Sequence, residues 1–402
     1  MTPQPLTLMQ GCCLQQLPLL PVESVSCCVT SPPYWMLRDY GIADSEWPEI
    51  EFVPMAGLPP ITIPAMKCQL GLEADPWAFV AHIVHIFRLV RPALQKDGTV
   101  WMNMGDSYAA DGKNRTVEQA TAKSTLAGSP NANASILKQG SKIASGLKKK
   151  DLVGMPWRCA FALQADGWWL RRDIIWHKPN PMPESTRDRP TTSHEYIFLL
   201  AKSASYFYDG ASIAEPCSEN THSRVAQNIA AQTGSTRANG GTRANRPMKA
   251  VMGQQPVAGW QKGPGSHDVM LHAAPGVNPK AAATDPGNHK FGPKQNASFS
   301  AAITGPTLVR NSRSVWKIST EAYRGDHFAT FPREIAARCI KAGSKVGGLV
   351  LDPFGGTGTV AAEAVLLGRR AVSIEMNPKD IKNTKKRRVE ELCSLLAHGG
   401  AA

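Results

Sequence analysis

The sequence lacks the features that define several classes of protein. No apolar run approaches the roughly 18 residues that a membrane-spanning helix requires. The N-terminus has no basic segment followed by an apolar stretch and a small-residue cleavage site. We therefore expect a cytoplasmic protein with no membrane partner.

The nine cysteines form neither a disulfide framework nor a zinc-binding pattern. Their number is odd, and the adjacent pairs Cys12-Cys13 and Cys27-Cys28 leave no residue between the two thiols. Zinc-binding pairs need about two to four intervening residues. The pattern indicates buried free thiols in a reducing compartment, with no metal site.

Acidic residues are outnumbered by basic ones, 32 to 45, which gives a formal net charge of +13. Such an excess favours a polyanionic partner, although charge alone does not identify nucleic acid. With 402 residues, the chain is long enough for one large catalytic domain carrying insertions, or for two domains.

Helical and strand-like segments alternate along much of the chain, which predicts an α/β fold. Asp75 and Pro76 suit the N-cap and first position of a helix that continues to Arg91, and Asp97-Gly98 suits a turn before the next strand. The predicted strands are residues 25–30, 99–102, 168–176, 195–200, 346–351 and 370–374; the other predicted helices are residues 14–20, 156–165, 332–341 and 359–367.

Two segments have a different composition. Residues 109–150 are rich in Ala, Ser, Asn, Gly and Lys, which predicts a basic, mobile loop. Residues 219–311 contain few large apolar side chains and cannot form much core alone. The chain is therefore divided into a catalytic part (1–218), an insertion (219–311) and a second part of the same catalytic domain (312–402).

A glycine-rich turn joins the strand that ends near Leu351 to the following helix. Glycines at such a turn let the backbone approach a ligand closely. The turn lacks the Gly-Lys-Ser/Thr ending of a phosphate-binding loop, whereas Glu375, at the end of the next strand, can accept hydrogen bonds from ribose hydroxyls. An adenosyl group is the predicted ligand; a plain connecting turn is the alternative.

A second turn, Ser31-Pro32-Pro33-Tyr34, follows the predicted strand 25–30. The exocyclic amine of a base is a poor nucleophile, and acceptors beside its hydrogens favour the pyramidal nitrogen of the transition state. The Ser31 hydroxyl and Pro32 carbonyl are such acceptors, and the Tyr34 ring can stack on a flipped base. The alternative is a rigid turn with a buried aromatic ring.

Together, the Thr30–Trp35 segment and the Asp352–Thr359 segment resemble the beta-class amino-group DNA methyltransferases, which methylate N4 of cytosine or N6 of adenine. The resemblance continues through 97–101, 105–108, 175–181 and 327–332. It implies a Rossmann-like S-adenosylmethionine-dependent methyltransferase sheet of seven strands with one strand reversed, an inserted target recognition region at 219–311, and double-stranded DNA as partner. It also leads us to consider a homodimer, and a cognate restriction enzyme that acts on the same site, as partners.

The resemblance assigns roles residue by residue. Ser31, Pro32, Pro33 and Tyr34 would hold the flipped base; Glu375 would bind the ribose of S-adenosylmethionine; His327, Phe331, Pro332 and Asp352 would lie against its methionine end; and Asp352, Pro353, Phe354, Gly355, Gly356, Thr357, Gly358 and Thr359 would enclose it. One departure is Cys12, where relatives commonly carry Asp or Asn.

Residues 31–34 correspond to the family's catalytic turn. A serine in this turn usually accompanies N4-cytosine methylation in the family, which favours that product over N6-methyladenine. Three basic residues, Lys178, Arg187 and Arg189, are candidate DNA contacts, and solvated surface charge is the alternative for each. A non-catalytic DNA-binding protein with a methyltransferase fold is the alternative from another class.

Overall fold

The computed structural model describes residues 5–37, 39–109, 146–181, 183–216, 309–320 and 332–383. The chain divides into two compact units. Unit one comprises residues 1–206 and 314–402, and unit two comprises residues 207–313. Most of the two low-complexity segments, 110–145 and 217–308, lies outside the described residues.

Fourteen strands are present in the described ranges. In chain order they are β1 (Leu6–Gln10), β2 (Val25–Thr30), β3 (Ser45–Trp47), β4 (Ile50–Phe52), β5 (Ile61–Ile63), β6 (Met66–Cys68), β7 (Leu94–Met104), β8 (Trp169–His177), β9 (His194–Ala201), β10 (Glu215–Pro216), β11 (Val309–Arg310), β12 (Val315–Lys317), β13 (Leu349–Asp352) and β14 (Arg370–Glu375).

Eight of these strands form the central sheet of unit one, in the order β1-β14-β13-β2-β7-β9-β8-β12. Strand β9 is antiparallel to both of its neighbours, and every other pairing in the sheet is parallel. The expected single reversed strand is therefore present. The expected count of seven is exceeded because the three-residue strand β12 extends the edge beside β8.

The middle of the sheet is buried on both faces, as is typical of parallel strands covered by helices. Five of the six residues of β2 are buried, as are the last seven residues of β7. The predicted turn at Asp97-Gly98 is instead a bulge within β7. Val25 pairs with Leu94 and Cys27 with Thr99, so the additional residues are accommodated without ending the strand.

The α-helices of the described residues lie in unit one and cover this sheet. In chain order they are α1 (Cys13–Gln16), α2 (Pro76–Ala93), α3 (Met155–Ala165), α4 (Arg333–Gly343), α5 (Thr359–Leu366) and α6 (Pro378–Asn383), with a 3₁₀ turn at Leu17–Leu19 after α1. No helix in these ranges is both long and apolar enough to span a bilayer.

Helix α2 begins as its sequence predicts. The Asp75 side chain accepts a hydrogen bond from the backbone N–H of Trp77, and Pro76 occupies the first helical position, where no hydrogen-bond donor is needed. The helix buries Phe79, Ile83 and Phe87 completely against the core. One capping carboxylate thus fixes where the longest described helix starts.

Between β2 and α2 the chain forms two small antiparallel pairs, β3 with β6 and β4 with β5. Their inward side chains, Trp47, Ile50 and Phe52 among them, are buried in the same core as α2. Unit two, where described, contains the antiparallel pair β10 and β11, in which Arg310 lies opposite Glu215.

Seven of the nine cysteines lie in the described ranges, and all seven are free thiols. Five of them are buried, including Cys27 and Cys28 in the centre of the sheet. This matches the expectation of buried apolar thiols for these positions.

Replacing Asp75 with alanine removes the cap of α2 and is expected to lower the free energy of unfolding by about 1 kcal/mol. Asp75→Asn retains a side-chain acceptor and should cost much less. Urea denaturation of the two variants measures the difference. Equal losses in both variants would show that the carboxylate acts through some contact other than the cap.

Candidate active site

The two turns that the sequence singles out lie side by side. Strands β2 and β13 are parallel neighbours, so their carboxyl ends meet at the same edge of the sheet. The Thr30 hydroxyl at the end of β2 donates a hydrogen bond to Asp352 Oδ1 at the end of β13, at 2.7 Å. Residues separated by 322 positions are thereby joined within the core.

A cavity of about 570 Å³ opens at this edge of the sheet. Its volume falls within the range of small-molecule sites, roughly 300–1,000 Å³. The predicted site residues that line it are Ser31, Pro32, Pro33, Tyr34, Lys178, Asp352, Pro353, Phe354, Gly355, Gly356, Thr357, Thr359 and Glu375. The structure therefore brings the two predicted groups around one cavity.

The glycine loop has a backbone that side chains would disfavour. Gly356 and Gly358 have φ angles of 47° and 73°, in the left-handed region. At Gly355 a Cβ would come within 2.0 Å of the Ser373 Oγ on β14, so a larger residue would push the loop away from the sheet. Glycine at these positions keeps the loop low and leaves room above it.

Glu375, at the end of β14, holds the loop from the other side. Its Oε2 accepts a hydrogen bond from the Gly356 N–H at 2.7 Å, and its Oε1 accepts one from the Asn377 N–H at 2.7 Å. A carboxylate at the end of a strand is the kind of acceptor that binds ribose hydroxyls. The glycine cradle, the cavity and this acid fit an adenosyl group.

Asp352 is a buried acid at the centre of the site. It is 4% exposed and accepts hydrogen bonds from the Thr30 hydroxyl and the Phe354 N–H. Burial raises the pKa of Asp352 to about 7, and the charge of Glu375 adds to the increase. The two hydrogen bonds favour the charged form, and they only partly offset the cost of burial.

Tyr34 is held at its hydroxyl by three polar side chains. The phenol donates to Glu195 Oε2 at 2.7 Å and accepts from Asn103 Nδ2 at 2.7 Å; the Ser31 hydroxyl donates to it at 3.4 Å. Glu195 in turn accepts from the ammonium of Lys178, which lies 4.4 Å from the centre of the Trp176 ring. Burial, and secondly Glu195, raise the pKa of Tyr34 well above its ordinary value.

Two glycines make space for the catalytic turn. A Cβ at Gly105 would lie 2.7 Å from Tyr34 Cε2, and one at Gly71 would lie 3.0 Å from the Tyr34 carbonyl oxygen. Gly71 also accepts a hydrogen bond from the Met36 N–H at 2.6 Å. The position of Tyr34 therefore depends on the absence of side chains at both glycines.

Beneath the turn lies a buried pair of titratable side chains, Glu73 and His82. His82 Nδ1 lies 2.6 Å from Glu73 Oε1, while Glu73 Oε2 accepts from the Gly71 N–H at 2.8 Å. Cys68 completes a group whose potential metal-ligand atoms lie within 4.8 Å of one another. These hydrogen bonds give the pair a structural role, because they fix the segment around Gly71, which lies against the backbone of Tyr34.

The other predicted site residues lie elsewhere. His327 and Phe331 fall outside the described residues, and the buried Pro332 directly precedes α4. Arg187 is exposed, whereas Arg189 pairs with Glu184 and places its guanidinium 3.8 Å from the centre of the Tyr108 ring.

Asn103 and Glu195 were missed by the sequence analysis. Both sit where strands reach the cavity, since β7 ends there and the reversed strand β9 begins there. A polar side chain next to the end of an apolar strand was the available signal. The reversal of β9, which brings the start of that strand to this edge, has no local signature.

Cys12, the departure from the family pattern, lies in the cavity wall. Its Sγ is 3.4 Å from Ser45 Oγ. A hydrogen bond with the Cys13 thiol, more than any other contact, lowers the pKa of Cys12 to about 6. Of these two adjacent thiols, Cys12 is therefore the more readily ionised.

Asp352→Asn should stabilise the protein in a pH-dependent manner. The folded protein binds the Asp352 proton more tightly than the unfolded chain does, so the wild type loses stability as pH rises from about 4 towards 7. Asparagine does not titrate, and its advantage should grow over the same interval to a few kcal/mol, on the order of 1.4 kcal/mol per pKa unit. Thermal or urea unfolding measured from pH 4 to about 8 tests this.

The exposed Asp44 supplies the control for that experiment. Asp44→Asn should leave the pH dependence of unfolding as it is in the wild type. A constant difference between wild type and Asp352→Asn across the pH range would contradict the account of Asp352.

The chain is similar to known proteins along most of its length. A model of the N6_N4_Mtase family, described as DNA methylase, matches residues 25–386. Similar proteins include the Type II methyltransferase M.SmaI of Serratia marcescens, 35% identical over 91% of this chain and 84% of the relative, and the Type II methyltransferase M.Cfr9I of Citrobacter freundii, 33% identical over 93% of this chain and 84% of the relative.

The family match covers both turns and the strands that carry them. The chain therefore belongs to the N6/N4 DNA methylase family and is an S-adenosylmethionine-dependent DNA methyltransferase.

Proposed function

We propose that this methyltransferase modifies the exocyclic N4 amine of cytosine in a base flipped out of double-stranded DNA. The observation that carries the proposal is Ser31, which stands at the carboxyl end of β2 where a family member that methylates adenine usually has aspartate. Its hydroxyl lines the same cavity as the glycine loop.

Three groups of the catalytic turn act on the target base. The Ser31 hydroxyl and the Pro32 carbonyl accept hydrogen bonds from the amine and favour its pyramidal form, which frees the nitrogen lone pair. The Tyr34 ring stacks on the flipped base. Stacking of this kind is worth about 1–3 kcal/mol per base, which offsets much of the cost of flipping.

The methyl donor occupies the other side of the cavity. S-adenosylmethionine supplies an electrophilic methyl group on a sulfonium. Glu375 would bind its ribose, the loop from Pro353 to Thr359 would enclose it, and Asp352 would face its methionine end, a role that the resemblance also implies for residues 327–332. A cation beside Asp352 favours the ionised carboxylate, so binding of the donor opposes the effect of burial on that acid.

DNA recognition is assigned to two parts of the chain. The 219–311 insertion serves as the target recognition region, and the basic loop 109–150 and the exposed Arg187 contact phosphates. Arg189 contributes to the same surface from its place beside Tyr108. Lys178 is paired with Glu195 inside the cavity. We therefore assign it to the flipped base and not to the phosphates of the duplex.

Partners and compartment are part of the same proposal. The relatives are named Type II methyltransferases. We therefore infer that a restriction enzyme that cuts the same DNA site accompanies this chain. A genomic DNA substrate in a bacterium lies in the cytoplasm. By the same resemblance we propose that the protein forms a homodimer. Light scattering of the purified protein tests this.

Expression in a bacterial host that lacks DNA methylation, followed by sequencing for modified bases, identifies the product. N4-methylcytosine within one short motif is the expected result. Ser31→Ala should reduce the rate of methylation about 100-fold, because it removes one contact that is strongest in the transition state. The exposed Ser205→Ala is the matched control. N6-methyladenine in the wild type would refute the choice of base and leave the family unchanged.

Gly105→Ala should reduce both target-base binding and methyl transfer, because the added Cβ would overlap the Tyr34 ring. Affinity for S-adenosylmethionine, measured by titration calorimetry, should remain close to that of the wild type. Loss of donor affinity together with activity would show that Gly105 supports the cofactor side of the cavity instead.

A further inference from the structure

Hydrogen bonds connect the catalytic turn to an acid that the sequence analysis did not identify. The Ser31 hydroxyl donates to the Tyr34 hydroxyl at 3.4 Å, and the Tyr34 hydroxyl donates to Glu195 Oε2 at 2.7 Å. Both donors point in the same direction, away from the turn and towards the carboxylate. The three oxygen atoms therefore form an ordered chain that ends on a group able to accept a proton.

One amide group keeps these three oxygen atoms together. Asn103 Nδ2 lies 2.7 Å from the Tyr34 hydroxyl, 3.0 Å from Glu195 Oε2 and 3.5 Å from Ser31 Oγ. Asn103 is only 2% exposed, so its position is fixed by packing as well as by hydrogen bonds. Such an arrangement exceeds what is needed to hold one aromatic ring in place.

The reaction produces a proton that must leave the amine, an argument that rests on the proposed role of Ser31 at that amine. The nitrogen lone pair forms a bond to the methyl carbon while the carbon–sulfur bond breaks and its electron pair stays on sulfur. The nitrogen then carries a positive charge and one hydrogen too many. A serine hydroxyl is too weak a base to keep that proton, but it can pass one on.

We propose that Glu195 is the terminal acceptor of this proton, which it receives through Ser31 and Tyr34. The amine proton moves to Ser31 Oγ, the Ser31 proton moves to the Tyr34 oxygen, and the Tyr34 proton moves to Glu195 Oε2. Both hydroxyls end as they began, the methylated amine is neutral, and Glu195 is a carboxylic acid. Its side chain is 15% exposed, so the proton can then pass to water.

Lys178 and the buried environment prepare this path. The Lys178 ammonium contacts the other carboxylate oxygen, Oε1, and leaves Oε2 to face Tyr34. Because burial raises the pKa of Tyr34, the phenol keeps its proton at neutral pH and remains a donor. The Tyr34 hydroxyl is therefore set to donate towards Glu195 Oε2.

The test uses Tyr34→Phe, Glu195→Gln, Glu195→Ala and the double variant Tyr34→Phe/Glu195→Ala in the full-length protein. Single-turnover transfer of a labelled methyl group to unmethylated duplex DNA gives the rate, with enzyme in excess over sites. Calorimetry gives the affinity for S-adenosylmethionine, and thermal unfolding shows that each variant is folded. Glu46→Gln, a substitution of an exposed acid, and Tyr206→Phe are the matched controls.

Tyr34→Phe keeps the ring and removes one link, and Glu195→Gln keeps the shape of the acid and removes its ability to accept a proton. Each should slow methyl transfer about 100-fold, as is typical of the loss of a proton-transfer group. The double variant should be no slower than the slower single variant, because a broken chain gains nothing from a second break. Donor affinity should stay unchanged in all of them.

Added formate provides a readout that a purely structural role would not affect. In Glu195→Ala the carboxylate of formate can occupy the vacated space, and it should restore the rate about tenfold relative to chloride at equal ionic strength. The same formate should not rescue the double variant, which lacks the Tyr34 hydroxyl. Matched ionic strength matters because DNA binding itself depends on salt.

A near-wild-type rate in either Tyr34→Phe or Glu195→Gln would overturn the proposal, as would losses that multiply in the double variant. Rescue of the double variant by formate would also overturn it. Digestion of the wild-type product separately identifies the methylated base. An adenine product would refute the proposed function alone, because the amine of adenine loses a proton in the same way and the rate ratios still judge the path.

Discussion

The active site depends on one strand pairing, the parallel contact between β2 and β13 in the middle of the sheet. Val350 pairs with Cys27 and Leu351 with Cys28, so both strands end at the same edge and point their following turns into one cavity. The Thr30–Asp352 hydrogen bond connects the two strand ends. In the proposed function one turn holds the acceptor amine and the other the methyl donor, so neither turn could act alone.

This pairing also explains why a buried acid is tolerated at the centre of the site. Asp352 accepts hydrogen bonds from the Thr30 hydroxyl and the Phe354 N–H, which would otherwise be donors without an acceptor. The cost is a carboxyl that resists ionisation. A positively charged methyl donor is the kind of ligand that can relieve this cost, and the adjacent cavity is where such a donor would lie.

A second layer of contacts supports the catalytic turn from below. Glu73 joins His82 to the Gly71 N–H, and the Trp35 indole donates to the Glu73 carbonyl at 2.8 Å. Gly71 then contacts the Tyr34 backbone. The turn is held at its backbone by this layer and at the Tyr34 hydroxyl by Asn103 and Glu195.

Much of the fold was predictable because its strands and helices carry strong local signals. Strand β2 has the predicted bounds, the Asp75 cap starts α2, and the glycine turn precedes α5. The small strands β3 to β6 were not predicted, although Ile50–Phe52 and Ile61–Ile63 each alternate apolar and polar residues. Runs of three residues are too short for periodicity to distinguish them from loops.

The two turns of the site were predictable for the same reason, and family membership decides for an enzyme over a non-catalytic DNA-binding protein. The contacts around Tyr34 were not predictable. Asn103 and Glu195 are 92 residues apart and meet only because β9 runs against its neighbours. A partnership of that kind is set by sheet topology, which leaves no mark on the sequence near either residue.

The most direct test of this account is a crystal structure of the protein with S-adenosylhomocysteine and a duplex that contains its methylation site. The account predicts that one base is flipped into the cavity with its exocyclic amine about 3 Å from Ser31 Oγ, and that the ribose hydroxyls bind Glu375. A base that remains stacked in a duplex bound at this cavity, or an adenosyl group bound away from the glycine loop, would contradict it.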